Sequence, residues 1–228
     1  MPDRIAVDAE FTIQADGKLL PGTLTIPASA RGVVVFAHGS GSSRHSPRNV
    51  YVARVLHDVG LATLLFDLLT ADEERIDAID ASLRFDIGLL ARRLDAAVHA
   101  VTGDPRATGL PVGLFGASTG AAAALVTAAR MPTVVRAVVS RGGRPDLAGA
   151  ALRDVQAAVL LIVGGLDHTV LELNREAARL LSAETTELSV VPGATHLFSE
   201  PGTLEEVARL ASAWFVRALV PHPGSRRD

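Results

Sequence analysis

The chain has 228 residues, 48% of them hydrophobic, which is enough to bury one large core in a single domain over residues 1–228. Its formal net charge of −3 gives no electrostatic reason to expect a nucleic acid or an anionic membrane as a partner. The absence of cysteine excludes disulfides, thiolate metal sites and a cysteine nucleophile.

The N-terminal segment, residues 1–10, has neither the basic nor the apolar region of a signal peptide. No apolar run approaches the roughly 18 residues of a membrane helix, so we expect a cytoplasmic protein. Apolar and polar residues then alternate in Phe11–Ile13 and Leu24–Ile26, on either side of Gly17. This pattern predicts an antiparallel hairpin with Lys18, the single lysine of the chain, at its tip. A lysine in that position excludes Schiff-base chemistry and a Walker-type phosphate loop.

Short, continuous apolar runs follow from residue 32 onwards. They are Val33–Phe36, Leu61–Phe66, Val112–Phe115, Val134–Val139, Val159–Val163 and Leu188–Val191. Such runs are typical of strands that are buried on both faces of a parallel sheet. Apolar residues at helical spacing lie between them: after Ser46-Pro47, from Ile87 to Val101, and from Val207 to Ala218. The alternation predicts an α/β fold with a doubly wound, mostly parallel sheet and helices on both sides.

Three stretches outside these elements bear on the pocket and on the end of the chain. Only residues 140–158 separate two predicted strands, which leaves no room for a cap domain, so we expect a shallow, open pocket. Arg141 and Arg144 in that stretch would either bind a substrate carboxylate or be solvated surface arginines.

Residues 70–82 are interpreted as a solvated acidic loop, or else as a rim that disfavours anionic substrates. Residues 222–228 are interpreted as a frayed tail.

Gly116-Ala-Ser-Thr-Gly120 is the most informative motif of the chain. A serine with glycines at −2 and +2, between an apolar strand and a run of small residues, is typical of a nucleophile elbow. Side chains at the two glycine positions would collide in so tight a turn. Their absence leaves the hydroxyl of Ser118 exposed above the edge of the sheet. The alternative interpretation is a helix N-cap in a glycine-rich turn.

Other predicted strands end in groups that could act together with Ser118. In an open parallel sheet the ligand binds outside the carboxyl ends of the strands. Three such ends carry Ala37-His-Gly-Ser-Gly41, Gly164-Gly-Leu-Asp167 and Pro192-Gly-Ala-Thr-His196. The nucleophile, the acid and the base therefore occur in the chain order Ser, Asp, His, which is the order associated with the hydrolase elbow.

Each of these residues has a role in the predicted chemistry. His196 would take the proton of Ser118 and later deliver it to the leaving group, while Asp167 would hold the imidazole tautomer. The backbone N–H groups of Ser40 and Thr119 are the candidate donors of an oxyanion hole. The residues that bind the substrate stay unidentified, and we expect no metal and no cofactor.

Other titratable residues near the same edge of the sheet are expected to have roles other than those of the acid and the base. Asp67 and Asp146 are alternative acids, but chain order and strand position favour Asp167. Asp67 is expected to fix a loop by accepting hydrogen bonds from backbone or arginine groups. His38 is expected to shape the turn beneath the loop that carries the oxyanion candidate Ser40, and the role of His45 is left open.

The motifs together resemble those of a known group of enzymes. Phe36–Asn49, Gly116–Gly120, Gly164–Asp167 and Gly193–His196 are similar to the small dienelactone-hydrolase-like branch of the α/β-hydrolase superfamily, over about residues 19 to 220. The resemblance implies an eight-stranded, mostly parallel sheet and hydrolysis of carboxylic esters or lactones. Dienelactone hydrolase itself uses a cysteine nucleophile, so Ser118 favours ordinary ester chemistry. Some relatives are fused to a phosphoribosyltransferase domain, and nothing of that kind is recognised in this sequence.

We therefore predict a capless serine esterase that cleaves small carboxylic esters through an acyl-enzyme. Lactone or thioester hydrolysis would use the same residues. A non-catalytic α/β-hydrolase relative that binds a ligand or a partner is the second class. A nucleotide-binding oxidoreductase is disfavoured, because Gly39-Ser-Gly41 lacks a third glycine at the required spacing. The expected partner is a small-molecule ester, with no nucleic acid and no membrane, and a homo-oligomer is left open.

Overall fold

The computed structural model describes residues 4–181 and 185–220. The strands are β1 (Ile5–Ala15), β2 (Lys18–Pro27), β3 (Val33–Ala37), β4 (Ala62–Phe66), β5 (Val112–Ala117), β6 (Val135–Arg141), β7 (Ala158–Gly164) and β8 (Thr186–Val191). The helices are α1 (Pro47–Asp58), α2 (Ala71–Asp80), α3 (Ile87–Gly103), α4 (Thr119–Arg130), α5 (His168–Ala178) and α6 (Thr203–Leu219), and a 3-10 segment spans Pro145–Asp154. The predicted frayed tail lies outside the described residues.

The strands form one sheet in the order β1-β2-β4-β3-β5-β6-β7-β8. β2 pairs antiparallel with both β1 and β4, and the other neighbours pair in parallel. The first hairpin turns at Asp16 and Gly17, whose φ angles of 49° and 71° are those of the turn that Asp-Gly favours. The predicted hairpin and the mostly parallel, eight-stranded α/β-hydrolase sheet are confirmed.

Hydrophobic clusters cover both faces of this sheet. Successive residues of β3 show the division, because Val33 and Val35 pack in the cluster that includes residues of α3 and α4. Val34 and Phe36 pack in the opposite cluster, with residues of α1 and α6. A strand whose side chains are buried on both faces has no polar alternation, which explains the continuous apolar runs in the sequence.

The topology places several loops at one edge of the sheet. β3 lies between β4 and β5, so the chain leaves β3 towards one side and later returns on the other. Open α/β sheets bind their ligands at such a switch point, outside the carboxyl ends of the strands. The loops that follow β3, β4, β5, β6, β7 and β8 all meet at this edge.

Residues 70–82 contain a helix, so the prediction of a loop is wrong, although Asp72, Glu74 and Asp80 are exposed to solvent as predicted. A capping box starts α2: the Glu73 carboxylate accepts from Thr70 N (2.8 Å), and the Thr70 hydroxyl accepts from Glu73 N (3.4 Å). Asp77 is buried and forms an ion pair of 2.7 Å with Arg84. Glu73 and Asp77 are therefore used to hold this helix against the domain.

The connection between β6 and β7 is short, as predicted. It holds only the 3-10 segment, which is interrupted at Gly149 (φ 56°). In the described ranges no cap domain is inserted there. None of the helices in these ranges combines the length and the apolar character that a membrane span requires.

Candidate active site

Ser118 occupies a strained turn between β5 and α4. Its φ of 51° and ψ of −122° lie in a region that residues with a side chain rarely adopt. The surrounding backbone fixes this conformation, because Ser118 N donates to Arg141 O at 3.3 Å. The Ser118 carbonyl accepts from Ala121 N and from Arg144 N, each at 3.1 Å. This is the strand–turn–helix geometry that the glycine motif predicts.

Two glycines allow the backbone to close tightly around this turn. A Cβ atom at Gly116 would lie 2.4 Å from a Cα atom of α4. A Cβ atom at Gly120 would lie 2.3 Å from Ala37 O and 2.5 Å from His38 O. The start of α4 therefore packs directly against the end of β3, and this contact leaves no space for any side chain.

The structure brings His196 and Asp167 together. His196 Nδ1 lies 2.7 Å from Asp167 Oδ2. Since the carboxylate accepts this hydrogen bond, Nδ1 carries the proton and Nε2 is the basic nitrogen of the neutral ring. The Asp167 side chain is 15% exposed and the His196 side chain 41%, so the carboxylate is sheltered while the ring can be reached from solvent.

The loop that carries His196 lies beside the serine turn. A Cβ atom at Gly142, next to the Arg141 carbonyl that accepts from Ser118 N, would lie 3.2 Å from His196 O and 3.6 Å from its Cε1. Phe198 (φ 54°) is buried under the same loop. Within the described ranges the Ser118 hydroxyl makes no hydrogen bond to His196. Bonds between nucleophile and base often become short only with substrate bound.

Ser40 and Thr119, the candidate oxyanion donors, are neighbours. Their hydroxyl oxygens lie 3.3 Å apart, although they come from different loops. Thr119 is the first residue of α4, where backbone N–H groups have no partner within the helix. Both residues line the same cavity. The structure thus joins the residues in two pairs, Asp167 with His196 and Ser40 with Thr119.

The alternative acids have other partners. Asp67 accepts from Arg44 N (2.7 Å) and from Arg44 Nη1 (2.5 Å), which confirms that it fixes a loop. Asp146 accepts from Arg144 Nε at 2.8 Å and from Arg144 Nη2 at 2.7 Å. His38 is buried and its Nε2 accepts from Leu68 N at 3.0 Å, as expected of a turn-shaping residue.

Arg141 is a buried cation, so the interpretation as a solvated arginine is wrong for it. It is 8% exposed, and its Nε and Nη1 atoms have no hydrogen-bond partner among the described residues. Burial, together with the nearby charge of Arg48, lowers the pKa of Arg141 to about 10. Arg144, in contrast, is neutralised by Asp146.

A cavity of about 500 Å³ opens beside Ser40 and Thr119. One wall is the loop after β3, with His45, together with the start of α1, with Arg48, and the other is α2, with Glu74. Burial raises the pKa of Glu74, and the nearby Asp67 and Asp77 carboxylates raise it further. The sequence interpretation did not include α2 as a wall of this cavity.

Similar proteins are known from their sequences and from solved structures. The model of the dienelactone hydrolase family matches residues 20–217. The chain belongs to the dienelactone hydrolase family. A solved dienelactone hydrolase from Anabaena variabilis is 54% identical to this member of the family, with a TM-score of 0.90, over 93% of this chain and 98% of that one. A Xanthomonas campestris structure, named as an α/β serine hydrolase without lid, has a TM-score of 0.75 at 20% identity over 98% and 100% of the two chains.

The curated relatives of this dienelactone hydrolase family member carry a different name. A putative phosphoribosyl transferase of Mycobacterium tuberculosis is 58% identical over 212 residues, which are 93% of this chain and 47% of that protein. The chain therefore spans about half the length of the curated relatives it matches.

The sequence interpretation missed some residues that keep the loops of the site in place. Glu200 accepts from Thr195 N (3.1 Å) and from the Thr195 hydroxyl (2.6 Å), which anchors the residue before His196. No local pattern signals this contact. The capping-box spacing from Thr70 to Glu73 was visible and could have revealed α2 and the cavity wall.

Proposed function

We propose that this chain is a serine hydrolase that cleaves carboxylic esters through an acyl-enzyme. The observation that carries the proposal is the 2.7 Å contact between His196 and Asp167, at the edge where Ser118 stands in a strained turn. A histidine oriented by a carboxylate and a serine on a nucleophile elbow are the parts that acyl transfer requires. The oxyanion candidates Ser40 and Thr119 border the cavity in which the substrate would bind.

In the proposed mechanism, His196 Nε2 removes the proton of Ser118 as its Oγ attacks the carbonyl carbon of the ester. The carbonyl oxygen becomes an oxyanion and accepts hydrogen bonds from the backbone N–H groups of Ser40 and Thr119. The tetrahedral intermediate expels the alcohol, which receives the proton from His196. Water, activated by the same histidine, then releases the acid and regenerates the serine. Asp167 stabilises the imidazolium in both halves of the cycle.

The name of the curated relatives does not alter this proposal. It describes proteins of which the chain covers 47%, whereas the family model matches this segment directly. For these residues we propose hydrolysis and not phosphoribosyl transfer. Lactones and thioesters would pass through the same intermediate, and the ester is the simplest member of the class.

Labelling tests the nucleophile. A fluorophosphonate probe should modify Ser118 alone, and mass spectrometry should locate the adduct. Ser118→Ala should lose the adduct and about 10⁶-fold in the turnover of 4-nitrophenyl acetate. Ser82→Ala, which changes an exposed serine just after α2, should retain both. An adduct on another serine, or turnover that survives in Ser118→Ala, would overturn the proposal.

The substrate of this site is proposed to carry an anionic group. Arg141 supports this, since its buried charge has no counter-charge among the described residues and lies near Arg48, which lines the cavity, so that a ligand carboxylate there would provide the missing partner. A 4-nitrophenyl ester of glutarate should therefore react about 10-fold or more faster, in kcat/KM, than the pentanoate ester. Arg141→Met should remove this preference, and Arg144→Met, a change at a paired arginine, should not. Equal rates for the two esters would refute the assignment.

A further inference from the structure

The loop between β3 and α1 must be held rigid if Ser40 is to act as an oxyanion donor. Residues 38–46, called here the oxyanion loop, form no helix or strand and contain two glycines and four serines. An oxyanion donor is useful only when it is already in place, because reorganising it during the reaction would cost the energy it supplies. Something outside this loop must therefore fix its conformation.

Two consecutive residues after β4 bind both ends of the oxyanion loop. At one end, Leu68 N donates to His38 Nε2 at 3.0 Å. At the other end, Asp67 accepts from Arg44 N at 2.7 Å and from Arg44 Nη1 at 2.5 Å. Ser40 lies between the two attachment points. The side chain of His38 and the backbone of Arg44 are thus tied to a single short segment of neighbouring chain.

The His38 contact also fixes the protonation state of the ring. Because Leu68 N is a donor, Nε2 must accept, and the ring proton is placed on Nδ1, which lies 3.0 Å from Gly39 O. The ring thus bonds to the peptide that leads directly to Ser40. Burial lowers the pKa of His38, which keeps the ring in this neutral form.

Asp67 and Leu68 are themselves held by hydrogen bonds on the sides that face away from the oxyanion loop. Asp67 N donates to Pro21 O of β2 at 3.0 Å. Leu68 O accepts from Arg93 Nη1 at 2.6 Å, and Arg93, 1% exposed, also binds the Glu73 carboxylate of α2 at 2.6 and 2.7 Å. Residues 67 and 68 are therefore held rigidly, by β2 on one side and by α3 with α2 on the other.

We propose that Asp67 and Leu68 form a clamp that positions the N–H of Ser40, with Asp67 and His38 as positioning residues for the reaction. This inference rests on the proposed oxyanion role of Ser40. Asp67 does not touch the reacting atoms. It acts through Arg44 and the loop, so its loss should affect the stabilisation of the transition state more than the binding of substrate.

Asp67→Asn tests the clamp, and the chain offers a closely matched control. Asp104 binds the N–H and the guanidinium of Arg106 in the same manner, with distances of 2.7 and 2.8 Å. Its side chain is 13% exposed, against 14% for Asp67. It lies between α3 and β5, at the opposite edge of the sheet. Asp104→Asn therefore makes the same chemical change away from the oxyanion loop.

Two measurements decide the outcome. In Asp67→Asn, hydrogen exchange of the peptide that covers residues 38–46 should become faster. The kcat for 4-nitrophenyl acetate should fall by about 10²-fold, the effect of losing one oxyanion donor, with KM nearly unchanged. Arg44→Met keeps the backbone bond to Asp67 and should show a smaller fall. Asp104→Asn should leave both measurements at the wild-type value.

The exchange measurement is independent of catalysis. Unchanged exchange in Asp67→Asn refutes the clamp, whatever the activity. Faster exchange with unchanged kcat refutes the positioning role, and an equal loss of kcat in Asp104→Asn shows that general destabilisation is the cause. A wild-type protein that hydrolyses no ester contradicts the proposed function alone, since the exchange result still decides whether the clamp exists.

Discussion

Gly120→Ala should damage catalysis through a displacement of the backbone and not through a change in chemistry. The new Cβ would lie 2.3 Å from Ala37 O and 2.5 Å from His38 O. Neither oxygen can rotate away, because both belong to the backbone at the end of β3. The start of α4 and the start of the oxyanion loop must therefore separate, which moves Thr119 away from Ser40.

The size of this displacement follows from the contact distances. To restore an ordinary contact of 3.4 Å, the Cβ atom at residue 120 and Ala37 O must move apart by about 1 Å. A misplacement of about 1 Å can cost about 10²-fold in rate, because oxyanion donors act over short distances. Overpacking of this kind also destabilises the fold by about 1–3 kcal/mol.

Ester hydrolysis and urea denaturation measure the two effects. Gly120→Ala should lose about 10²-fold in kcat/KM and unfold at a lower urea concentration. Gly103→Ala is the control, because a Cβ at the end of α3 meets no atom within 4 Å. It should leave the rate unchanged and the stability equal or slightly higher. A Gly120→Ala protein with the rate and stability of the wild type would show that this close approach of α4 and β3 does not exist.

Three further changes have definite expected results. Asp167→Asn should lower kcat by about 10⁴-fold with little change in KM, because the tautomer of His196 is no longer fixed. Glu73→Gln should cost about 3 kcal/mol in the free energy of unfolding, since it leaves the buried guanidinium of Arg93 without its counter-charge. Arg93 lowers the pKa of Glu73 from 4.5 to about 2, so this stabilisation is complete above pH 4.5 and is lost as the pH falls towards 2. Glu200→Ala should lower kcat by about 10-fold, with KM and the melting temperature nearly unchanged, because the loop of His196 loses its anchor.

Matched changes elsewhere in the chain separate these effects from a general loss of acidic charge. Glu172→Gln alters an exposed pair on α5 and should not affect the urea midpoint at any pH. Glu205→Ala, in the exposed first turn of α6, should leave kcat unchanged. A urea midpoint for Glu73→Gln that stays below the wild type by the same amount at pH 7 and near pH 2 would contradict the sign of the pKa argument.

The parts of the site that depend on local geometry could be predicted from the sequence. The glycines around Ser118 have a fixed spacing because the turn itself excludes side chains, and the buried strands have no polar alternation. The pairing of His196 with Asp167 followed from their positions after two parallel strands. These inferences need only the local chain and the rule that parallel strands end at one edge.

The parts that depend on packing between distant segments could not be predicted. α2 has few apolar residues, and its isoleucines are exposed, so periodicity gave no signal for it. Whether Arg141 is buried or solvated depends on which side chains surround the end of β6. The Asp67 contact was anticipated in kind, but its arginine partner comes from a loop without a regular pattern.

The wall that α2 gives to the cavity has a consequence for how this protein could change its substrate. The proposed bond-breaking groups follow β3, β5, β7 and β8, whereas α2 is encoded between β4 and α3. The residues of α2 that shape the cavity and the residues proposed to carry out the reaction therefore lie in separate stretches of the chain. Exchanging Glu74 or Ala78 for larger or differently charged residues would retune selectivity and leave the acyl-transfer machinery intact, which makes this short helix the natural starting point for directed evolution.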